Sequence, residues 1–351
     1  MTKNNYHILT FLRWLAANML PEGLFEEQLA MGRVKQLFSS YVRIVEVENH
    51  SYCNRTCWFC PNSSIDRRSK NILMSQELFH KILGDLASIK YDQSFVFCGY
   101  CEALADDSIF KNVSLVRTAL PKAYIKIYSN GDYLTGEAIR RLESIGLDQI
   151  RISLYPTTSD QQEHEALLKD LSKRTGLKIS SKTSRYKGWQ LEGSPILIPI
   201  EIKDFSSGNM SSRAGYLSKE AGTGSFVRTA ICFEPLKHIS IAFNGKCMLC
   251  CQLRPDVAMH SAGIIGDLNE EGYSLFHYYR DLGKARGMLL KPGEKSGICR
   301  HCEANFTGAG PHRLGRHPLI SGIFNHIPLM NFFVDKASLF PRSSHQRYTQ
   351  F

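Results

Sequence analysis

Three cysteines stand close together near the start of the chain, within the segment YCNRTCWFCP. They are Cys53, Cys57 and Cys60, with spacings of four and three residues. A structural zinc site is normally closed by four Cys or His ligands, and the nearest extra donors, His50 and Asn62, are poorly placed or weak. A 4Fe-4S cluster has four irons, so three thiolates leave one iron without a protein ligand. The spacing therefore favours a cluster whose open iron binds a substrate or cofactor.

The composition gives a broader reason to expect metal chemistry. The chain has 351 residues, 11 of them cysteine, and no secretory signal, so a disulfide framework is not expected. The early apolar run ILTFLRWLAANML is interrupted by Arg13 and predicts an amphipathic helix instead of a membrane span. We therefore expect a cytoplasmic protein. The net charge of +10 suits an anionic cofactor or a phosphorylated substrate, but no Lys/Arg run is dense enough to indicate a nucleic-acid partner.

From about residue 42 the chain alternates strand and helix patterns, as parallel β/α units do. The first four predicted strands are YVRIVEVEN, SFVFCGY, AYIKIYSNG and QIRISLYP, and the fifth and sixth are LKISSKTS and SPILIPIEI. Helices with apolar residues at helical spacing lie between them, with Ser75 and Thr135 as N-caps and Gly146 and Gly176 at C-terminal ends. Six units before residue 215 predict an α/β fold, a partial (β/α)6 TIM-like barrel.

The chain after the barrel has a different character. From about residue 225 to 310 it is Gly-rich, with cysteines clustered at both ends, which predicts a small metal-pinned domain. The expected regions are an N-terminal helical extension (1–41), the barrel (42–220), the auxiliary iron-sulfur domain (221–310) and a basic tail (311–351).

The candidate site residues follow the ends of successive predicted strands, where barrels of this kind carry their chemistry. Cys53 follows the first strand, residues 99–102 the second, residues 129–131 the third and residues 153–155 the fourth. We expect these segments to lie close together.

With Phe59 just before the third cysteine, the first motif resembles the CxxxCxΦC signature of the radical S-adenosylmethionine (radical SAM) superfamily. The resemblance implies that S-adenosylmethionine (SAM) binds the open iron of a 4Fe-4S cluster. Reductive cleavage of SAM then gives methionine and a 5′-deoxyadenosyl radical that abstracts hydrogen from the substrate. The resemblance also implies an electron donor such as flavodoxin or ferredoxin.

Three further segments are similar to elements of this superfamily. GYCEALAD resembles the GGEP element beside the methionine end of SAM, with Gly99 and Glu102 in register. YSNG is similar to a TNG segment that meets the SAM carboxylate or ribose, which implies such contacts for Ser129 and Asn130. Ser153 matches a position that often reaches the ribose. Each of these residues can instead satisfy local backbone groups, and the sequence leaves that alternative open.

Two more residues are assigned from the same resemblance. Arg213, in NMSSRAGYL, resembles an arginine-containing segment of relatives and is expected to contact SAM. Cys101 stands where the GGEP-type element has a glycine, and it is a candidate catalytic residue that donates a hydrogen atom to a substrate radical. The alternative is that Cys101 is a buried small apolar residue.

A second cysteine set resembles the auxiliary-cluster region of SPASM and Twitch radical SAM enzymes. Cys232, Gly245 and Cys250 reproduce the pattern CX12GX4C, and Cys299 and Cys302 form a terminal CxxC. The shorter Twitch arrangement fits better, which implies an auxiliary 4Fe-4S cluster with four cysteine ligands. The sequence cannot decide whether Cys250 or one of its neighbours is the ligand; those neighbours are Cys247 and Cys251. A zinc ribbon is the alternative for this set.

The predicted function is a radical SAM oxidoreductase that dehydrogenates a small metabolite, with the auxiliary cluster accepting the second electron. An epimerase that returns hydrogen from a cysteine uses the same chemistry. A ribosomally made peptide is an alternative substrate, and RNA is supported only by the basic charge. Outside catalysis, a zinc-stabilised binding protein remains possible.

Overall fold

A computed structural model of the protein describes residues 20–157, 160–182, 188–203, 211–222, 226–291 and 293–304. The predicted N-terminal apolar run, apart from its last residue, lies outside the described residues, as does the basic tail from residue 311.

One mixed sheet contains all ten strands of the described residues. The strands are β1 (Ile44–Val47), β2 (Ser94–Phe97), β3 (Tyr124–Ser129), β4 (Gln149–Leu154), β5 (Lys178–Lys182), β6 (Gly188–Glu192), β7 (Ile198–Ile202), β8 (His238–Ile241), β9 (Lys246–Met248) and β10 (Ile264–Asp267). Their order is β10-β9-β8-β1-β2-β3-β4-β7-β6-β5. The six central strands, from β8 to β7, pair in parallel, and the edge strands pair antiparallel. This confirms an α/β fold with a large, mostly parallel sheet.

The helices of the described residues are α1 (Met31–Tyr41), α2 (Gln76–Ser88), α3 (Ser108–Ala119), α4 (Gly136–Ser144), α5 (Gln161–Thr175), α6 (Glu234–Lys237), α7 (Leu275–Asp281) and α8 (Gly283–Leu289). Helices α2 to α4 connect successive strands from β1 to β4, and α5 follows β4, as the predicted β/α alternation requires; α1 precedes β1, α6 leads into β8, and α7 and α8 follow β10. The predicted caps are confirmed: Ser75 accepts from the Leu78 N–H at 3.2 Å, and Thr135 accepts from the Ala138 N–H at 3.1 Å. Gly176 ends α5 with a φ of +69°, a conformation that suits glycine.

The two faces of the central sheet have opposite chemistry. Val45, aligned with Phe95 and Ile125 on the neighbouring strands, belongs to a buried apolar face. Residues at the alternate positions form what we call the polar face, since side chains alternate across a strand. Its members are Glu46, Lys126, Tyr128, Arg151, Ser153, Glu201, His238 and Ser240. The hydrophobic core lies between the apolar face and the helices, which leaves the polar face for chemistry.

The expectation of six parallel units before residue 215 is wrong in one respect. The predicted fifth strand contains β5, which pairs antiparallel with β6 at the edge of the sheet. Only residues 183–187 separate the two strands, whereas a parallel pair needs a crossover of about a dozen residues. The predicted sixth strand contains β7, which pairs with β4, and the remaining parallel strand is β8, beside β1.

The chain after residue 226 is more regular than the sequence indicated. Strands β8, β9 and β10 continue the sheet beyond β1, and α7 packs against α1 through Phe38 and Phe276, whose ring centroids lie 5.5 Å apart. The Arg286 guanidinium of α8 donates to Leu24 O at 2.5 Å. The second cysteine set is therefore attached to the same sheet as the first.

Candidate active site

The segment between β1 and α2 carries the first three cysteines. The Cys53 N–H donates to Arg67 O at 3.1 Å, and the Cys60 N–H donates to Cys57 O at 2.9 Å. Burial, together with Glu102, Cys60 and Cys57, raises the pKa of Cys53 to about 12. Burial and the Cys60 thiol likewise raise the pKa of Cys57 to about 11. The three thiols therefore lie within electrostatic reach of one another, as the spacing predicted.

Asp132 ties this cysteine loop to the segment after β3. Its carboxylate accepts two hydrogen bonds from Arg55, at 2.6 and 2.5 Å, and one from Asn54 Nδ2 at 2.7 Å. Asn130 Nδ2 donates to Asn54 Oδ1 at 2.9 Å. Although burial opposes its charge, Arg55 and Asn54 hold the pKa of Asp132 below its usual value. The loop position thus depends on an ionised carboxylate that the sequence analysis did not select.

Glu102 joins the ends of β2 and β3. The side chain is 2% exposed, and it accepts hydrogen bonds from Ser129 Oγ at 2.6 Å, the Asn130 N–H at 2.7 Å and the Leu104 N–H at 3.2 Å. Burial raises the pKa of Glu102 to about 7, even though these hydrogen bonds favour the ionised form. The structure therefore brings Glu102, Ser129 and Asn130 together at one point, with their polar groups bonded mainly to each other.

Gly99 lies where the backbone approaches a buried carboxylate closely. Its φ is +139°, and a Cβ atom there would lie 3.0 Å from the side chain of Glu48. Glu48 Oε1 accepts from the Tyr100 N–H at 2.9 Å and from Arg67 Nη1 at 3.1 Å. Glycine is needed here because any side chain would displace Glu48.

Phe59 and Ser153 both contact Tyr155. The Phe59 ring is 8% exposed, and its centroid lies 4.9 Å from the centroid of Tyr155. Burial raises the pKa of Tyr155, and a hydrogen bond with Ser153 opposes that shift. The aromatic pair covers one side of the cysteine loop, close to the end of β4.

Cys101 is partly exposed and lies beside Asn49. Its thiol donates a weak hydrogen bond to Asn49 Oδ1 at 3.8 Å. Burial, together with Glu48 and Cys98, raises the pKa of Cys101 well above its usual value. The contacts fit the alternative of a buried small residue and leave hydrogen donation as a prediction.

Arg213 stands between the two cysteine sets. Its φ is +50°, a strained value for a residue with a side chain, and its Nη1 donates to Gln252 Oε1 at 3.3 Å. Burial opposes its charge, but Tyr100, Cys60, Tyr155 and Cys251 raise its pKa above the usual value. Among the residues that the structure describes, no hydrogen-bond acceptor meets its buried Nε atom. The half-buried Arg213 guanidinium thus lies within electrostatic reach of a thiol from each cysteine set, Cys60 and Cys251.

Four cysteines of the second set gather at the side of β8. Burial raises the pKa of Cys250 well above its usual value. The adjacent Cys251 thiol adds to this rise, and so do the thiols of Cys302, Cys232 and Cys299. The Cys232 N–H donates to Leu289 O at 2.9 Å.

Cys247 and Cys251 have other surroundings. Cys251 Sγ lies within 4.8 Å of ligand atoms of both Glu234 and His238. Cys247 is fully buried on β9, where Asp267 and Asp281 raise its pKa in addition to burial. The geometry therefore supports Cys250 over Cys247 as the member of the four-thiol group.

Sequence reasoning missed a polar chain that leads from Cys251 to the polar face. His238 Nδ1 lies 3.0 Å from Glu234 Oε2, and His238 Nε2 lies 3.4 Å from Glu46 Oε2. Ser240 Oγ donates to Glu46 Oε1 at 3.2 Å. The signal in the sequence was a charged residue at the centre of an otherwise apolar strand, IVEV.

Among the described residues, no helix is both long and apolar enough to cross a membrane.

Residues 50–178 match the family model described as Radical SAM superfamily. The match covers just over a third of the chain, and it includes the three loop cysteines and Glu102. The match agrees with the predicted resemblance to this superfamily.

Among curated proteins, the chain is similar to the S-adenosyl-L-methionine-dependent 2-deoxy-scyllo-inosamine dehydrogenase of Niallia circulans, with 32% identity over 112 residues. The similar part is 32% of this chain and 44% of that protein, so the chain matches less than half of the length of this curated relative.

Among solved structures, the crystal structure of BtrN in complex with AdoMet and 2-DOIA has a TM-score of 0.52 and 21% identity, covering 74% of this chain and 92% of BtrN. A selenomethionine form of BtrN in an open conformation has a TM-score of 0.48 and 20% identity, covering 76% and 98%. The first of these likenesses supports the fold described above.

Proposed function

We propose, from the radical SAM superfamily domain of residues 50–178, that the chain reductively cleaves SAM and oxidises a small hydroxylated metabolite. The observation that carries this proposal is the grouping of three thiols with strand-end polar residues: Cys53 and Cys57 lie within electrostatic reach of Cys60, and Glu102 influences Cys53. The name of the Niallia circulans relative, a SAM-dependent dehydrogenase, supports the same reaction type.

The donor sets fit iron-sulfur clusters better than single ions. A zinc ion with bonds of about 2.3 Å to tetrahedral thiolates brings the sulfur atoms within about 3.8 Å of one another. In the described part of the chain, neither the three loop cysteines nor the group Cys232, Cys250, Cys299 and Cys302 supplies three ligand atoms within 4.8 Å of one another, whereas Glu234, His238 and Cys251 do. Soft thiolates spread over a wider volume suit a multi-iron cluster. In this proposal Cys53, Cys57 and Cys60 hold the first cluster.

The second set completes the proposal. We infer an auxiliary 4Fe-4S cluster with Cys232, Cys250, Cys299 and Cys302 as ligands, suited to accepting the second electron of an oxidation. Mutual influence among these four thiols supports this ligand set.

When bound, the first cluster and SAM supply a 5′-deoxyadenosyl radical that removes a hydrogen atom from the substrate. The chain's own residues hold and shield the reactants. Glu102 fixes the ends of β2 and β3, and the Phe59–Tyr155 pair excludes water from one side of the loop. We assign to Arg213, whose Nε has no partner among the described residues, a contact with the SAM carboxylate or an anionic substrate group.

The polar face supports a substrate with several hydroxyl groups. Arg151 Nη2 donates to Glu201 Oε2 at 2.7 Å, and both side chains are about one-third exposed, so each retains hydrogen-bonding capacity. On β1 and β8, further along the same face, the buried Glu46 accepts a hydrogen bond from Ser240. Groups of this kind recognise alcohols and amines better than apolar substrates.

Anaerobic reconstitution tests the proposal. Wild type should bind two clusters, and the Cys53/Cys57/Cys60→Ala triple variant should bind one and form no 5′-deoxyadenosine. Equal nucleoside formation by both proteins contradicts the assignment of the catalytic cluster. With 2-deoxy-scyllo-inosamine and related polyols as candidates, deuterium transfer from substrate to 5′-deoxyadenosine identifies the carbon attacked.

The outcome at that carbon separates two reactions. A dehydrogenase leaves a carbonyl product without solvent deuterium, whereas an epimerase that uses a cysteine such as Cys101 incorporates solvent deuterium at the inverted carbon.

A further inference from the structure

Arg228 is buried beside three thiols of the second cysteine set, Cys232, Cys299 and Cys302. The residue is 1% exposed, and all four hydrogen bonds of its guanidinium go to peptide carbonyls: Cys302 O at 2.9 Å, Ala304 O at 2.6 Å, Ala230 O at 3.1 Å and Ile231 O at 3.2 Å. It thereby links the segment that leads to Cys232 with the segment that carries Cys302.

Lys295 is a second buried cation in the same place. It is 2% exposed, its Nζ donates to Met288 O at 3.2 Å and to Lys291 O, and its backbone N–H donates to Arg228 O at 2.9 Å. Burial, then repulsion from Arg228, lowers the pKa of Lys295, while Cys232 and Cys299 oppose this.

Neither cation has a carboxylate partner among the residues that the structure describes. Two other deeply buried cations are paired, Arg67 with Glu48 and Arg254 with Asp256. Among the described residues the buried Arg286 guanidinium donates only to peptide carbonyls, but it stands alone, whereas Arg228 and Lys295 are adjacent. A buried charge is costly unless a counter-charge lies nearby, because carbonyl dipoles solvate it without neutralising it. The surroundings of Arg228 and Lys295 therefore call for an anionic group.

The positive charges of Arg228 and Lys295 act on the cysteine thiols of the second set. Burial raises the pKa values of Cys232, Cys299 and Cys302, and Arg228 opposes the rise at all three. Lys295 opposes it at Cys299. An oxidised 4Fe-4S core with four thiolates carries a net charge of about −2, which two cations balance. Two carboxylates raise thiol pKa values instead, but each acts on one thiol: Glu234 on Cys232, and Glu303 on Cys302.

We propose that Arg228 and Lys295 are positioning residues that supply the positive charge around the auxiliary cluster and raise its reduction potential, so that it accepts an electron from the substrate. This inference rests on the proposed function. The substrate alcohol loses a hydrogen atom to the deoxyadenosyl radical, then one electron to the auxiliary cluster and one proton to water, and becomes a carbonyl. An electron-carrier protein takes up that electron. Nearby positive charge favours the more negative, reduced cluster.

A redox titration followed by electron paramagnetic resonance tests this role. The full chain with Cys53/Cys57/Cys60→Ala isolates the auxiliary cluster, and Arg228→Gln and Lys295→Met are added singly. At a fixed potential, Arg228→Gln should lower the ratio of reduced to oxidised cluster about tenfold, a midpoint shift of about 59 mV for one electron. Lys295→Met should shift the midpoint potential in the same direction. Arg228→Lys, which keeps the positive charge, should leave the midpoint potential near that of the Cys53/Cys57/Cys60→Ala protein.

Lys237→Met is the matched control. Lys237 also influences Cys232, but it forms an ion pair with Glu234 at 3.4 Å and its side chain is 46% exposed. Its removal should shift the potential much less. If Arg228→Gln fails to assemble a cluster, Lys295→Met decides the question.

Unchanged midpoints in assembled Lys295→Met and Arg228→Gln proteins overturn the inference and leave the proposed function intact. If the triple variant binds zinc and no iron, the proposed auxiliary cluster itself fails.

Discussion

The first cysteine loop lies near two carboxylates, Glu102 and Asp132, the second of which is paired with Arg55, whereas three of the four thiols of the second set lie near the buried cations Arg228 and Lys295. Three thiolates leave one iron of a 4Fe-4S cluster open, whereas four thiolates close it. Nearby positive charge makes a cluster easier to reduce, and nearby negative charge makes it harder to reduce. The comparison indicates a division of labour. The loop suits a strongly reducing centre that holds SAM, and the second set suits an electron acceptor.

Removal of a single thiol from each cysteine set should have the largest effect and should separate the roles of the two regions. Cys57→Ala should reduce SAM cleavage to the level found without enzyme, because the open-iron cluster loses one of its three ligands. Cys250→Ala should retain SAM cleavage but lose carbonyl product, because the second electron has no acceptor. Quantifying 5′-deoxyadenosine and product in the same reactions checks both. Loss of SAM cleavage in the two variants alike would contradict separate roles.

Glu102 gives a pH test of the first region. Its pKa is about 7 in the folded chain, above its usual 4.5, so the folded state binds more protons than the unfolded state between these values. The free energy of unfolding should therefore fall as pH rises from 4.5 to 7, by about 3 kcal/mol at 1.36 kcal/mol per unit. Glu102→Gln should remove this contribution.

Urea denaturation of metal-free wild type and Glu102→Gln at pH 5.0 and 7.5 measures the effect. If the two proteins lose equal stability between these pH values, Glu102 is not the titrating group.

Gly99→Ala tests the close approach between the β2 end and Glu48. The added Cβ would lie 3.0 Å from that side chain at a φ of +139°, so unfolding should become easier by about 1–3 kcal/mol. Gly176→Ala is the matched control, because its φ is +69° and nothing lies within 4 Å of the added Cβ. Thermal unfolding should show a smaller loss for the control, of about 1 kcal/mol. Equal losses would mean that contact with Glu48 contributes nothing.

Asp132→Asn should have the smallest effect on stability. The Arg55–Asp132 pair is partly exposed, with side-chain exposures of 26% and 30%, so its loss should cost about 1 kcal/mol or less. The cysteine loop should nevertheless become less fixed, and the KM for SAM should rise more than kcat falls. A variant with unchanged KM would show that this ion pair does not position the loop.

Much of the first region could be predicted from the sequence because its signals are local. The four strands from β1 to β4, the caps Ser75 and Thr135, and the spacing of the three cysteines each depend on a few neighbouring residues. The edge hairpin of β5 and β6 could not, because a strand pattern does not reveal its partner.

The second region was harder to predict because its contacts join distant segments. His238 and Glu46 are 192 positions apart, and the link between Arg228 and Cys302 spans 74. No local pattern marks such pairs. The charge at the centre of IVEV was visible, but only the sheet order places it beside β8.

The central claim is that the first loop holds a cluster with an open iron. Electron paramagnetic resonance of a Cys232/Cys250/Cys299/Cys302→Ala variant, reduced and compared with and without SAM, tests it most directly. We predict a reduced 4Fe-4S signal that changes when SAM is added. A signal unaffected by saturating SAM, or a single zinc ion in place of iron, would contradict the account.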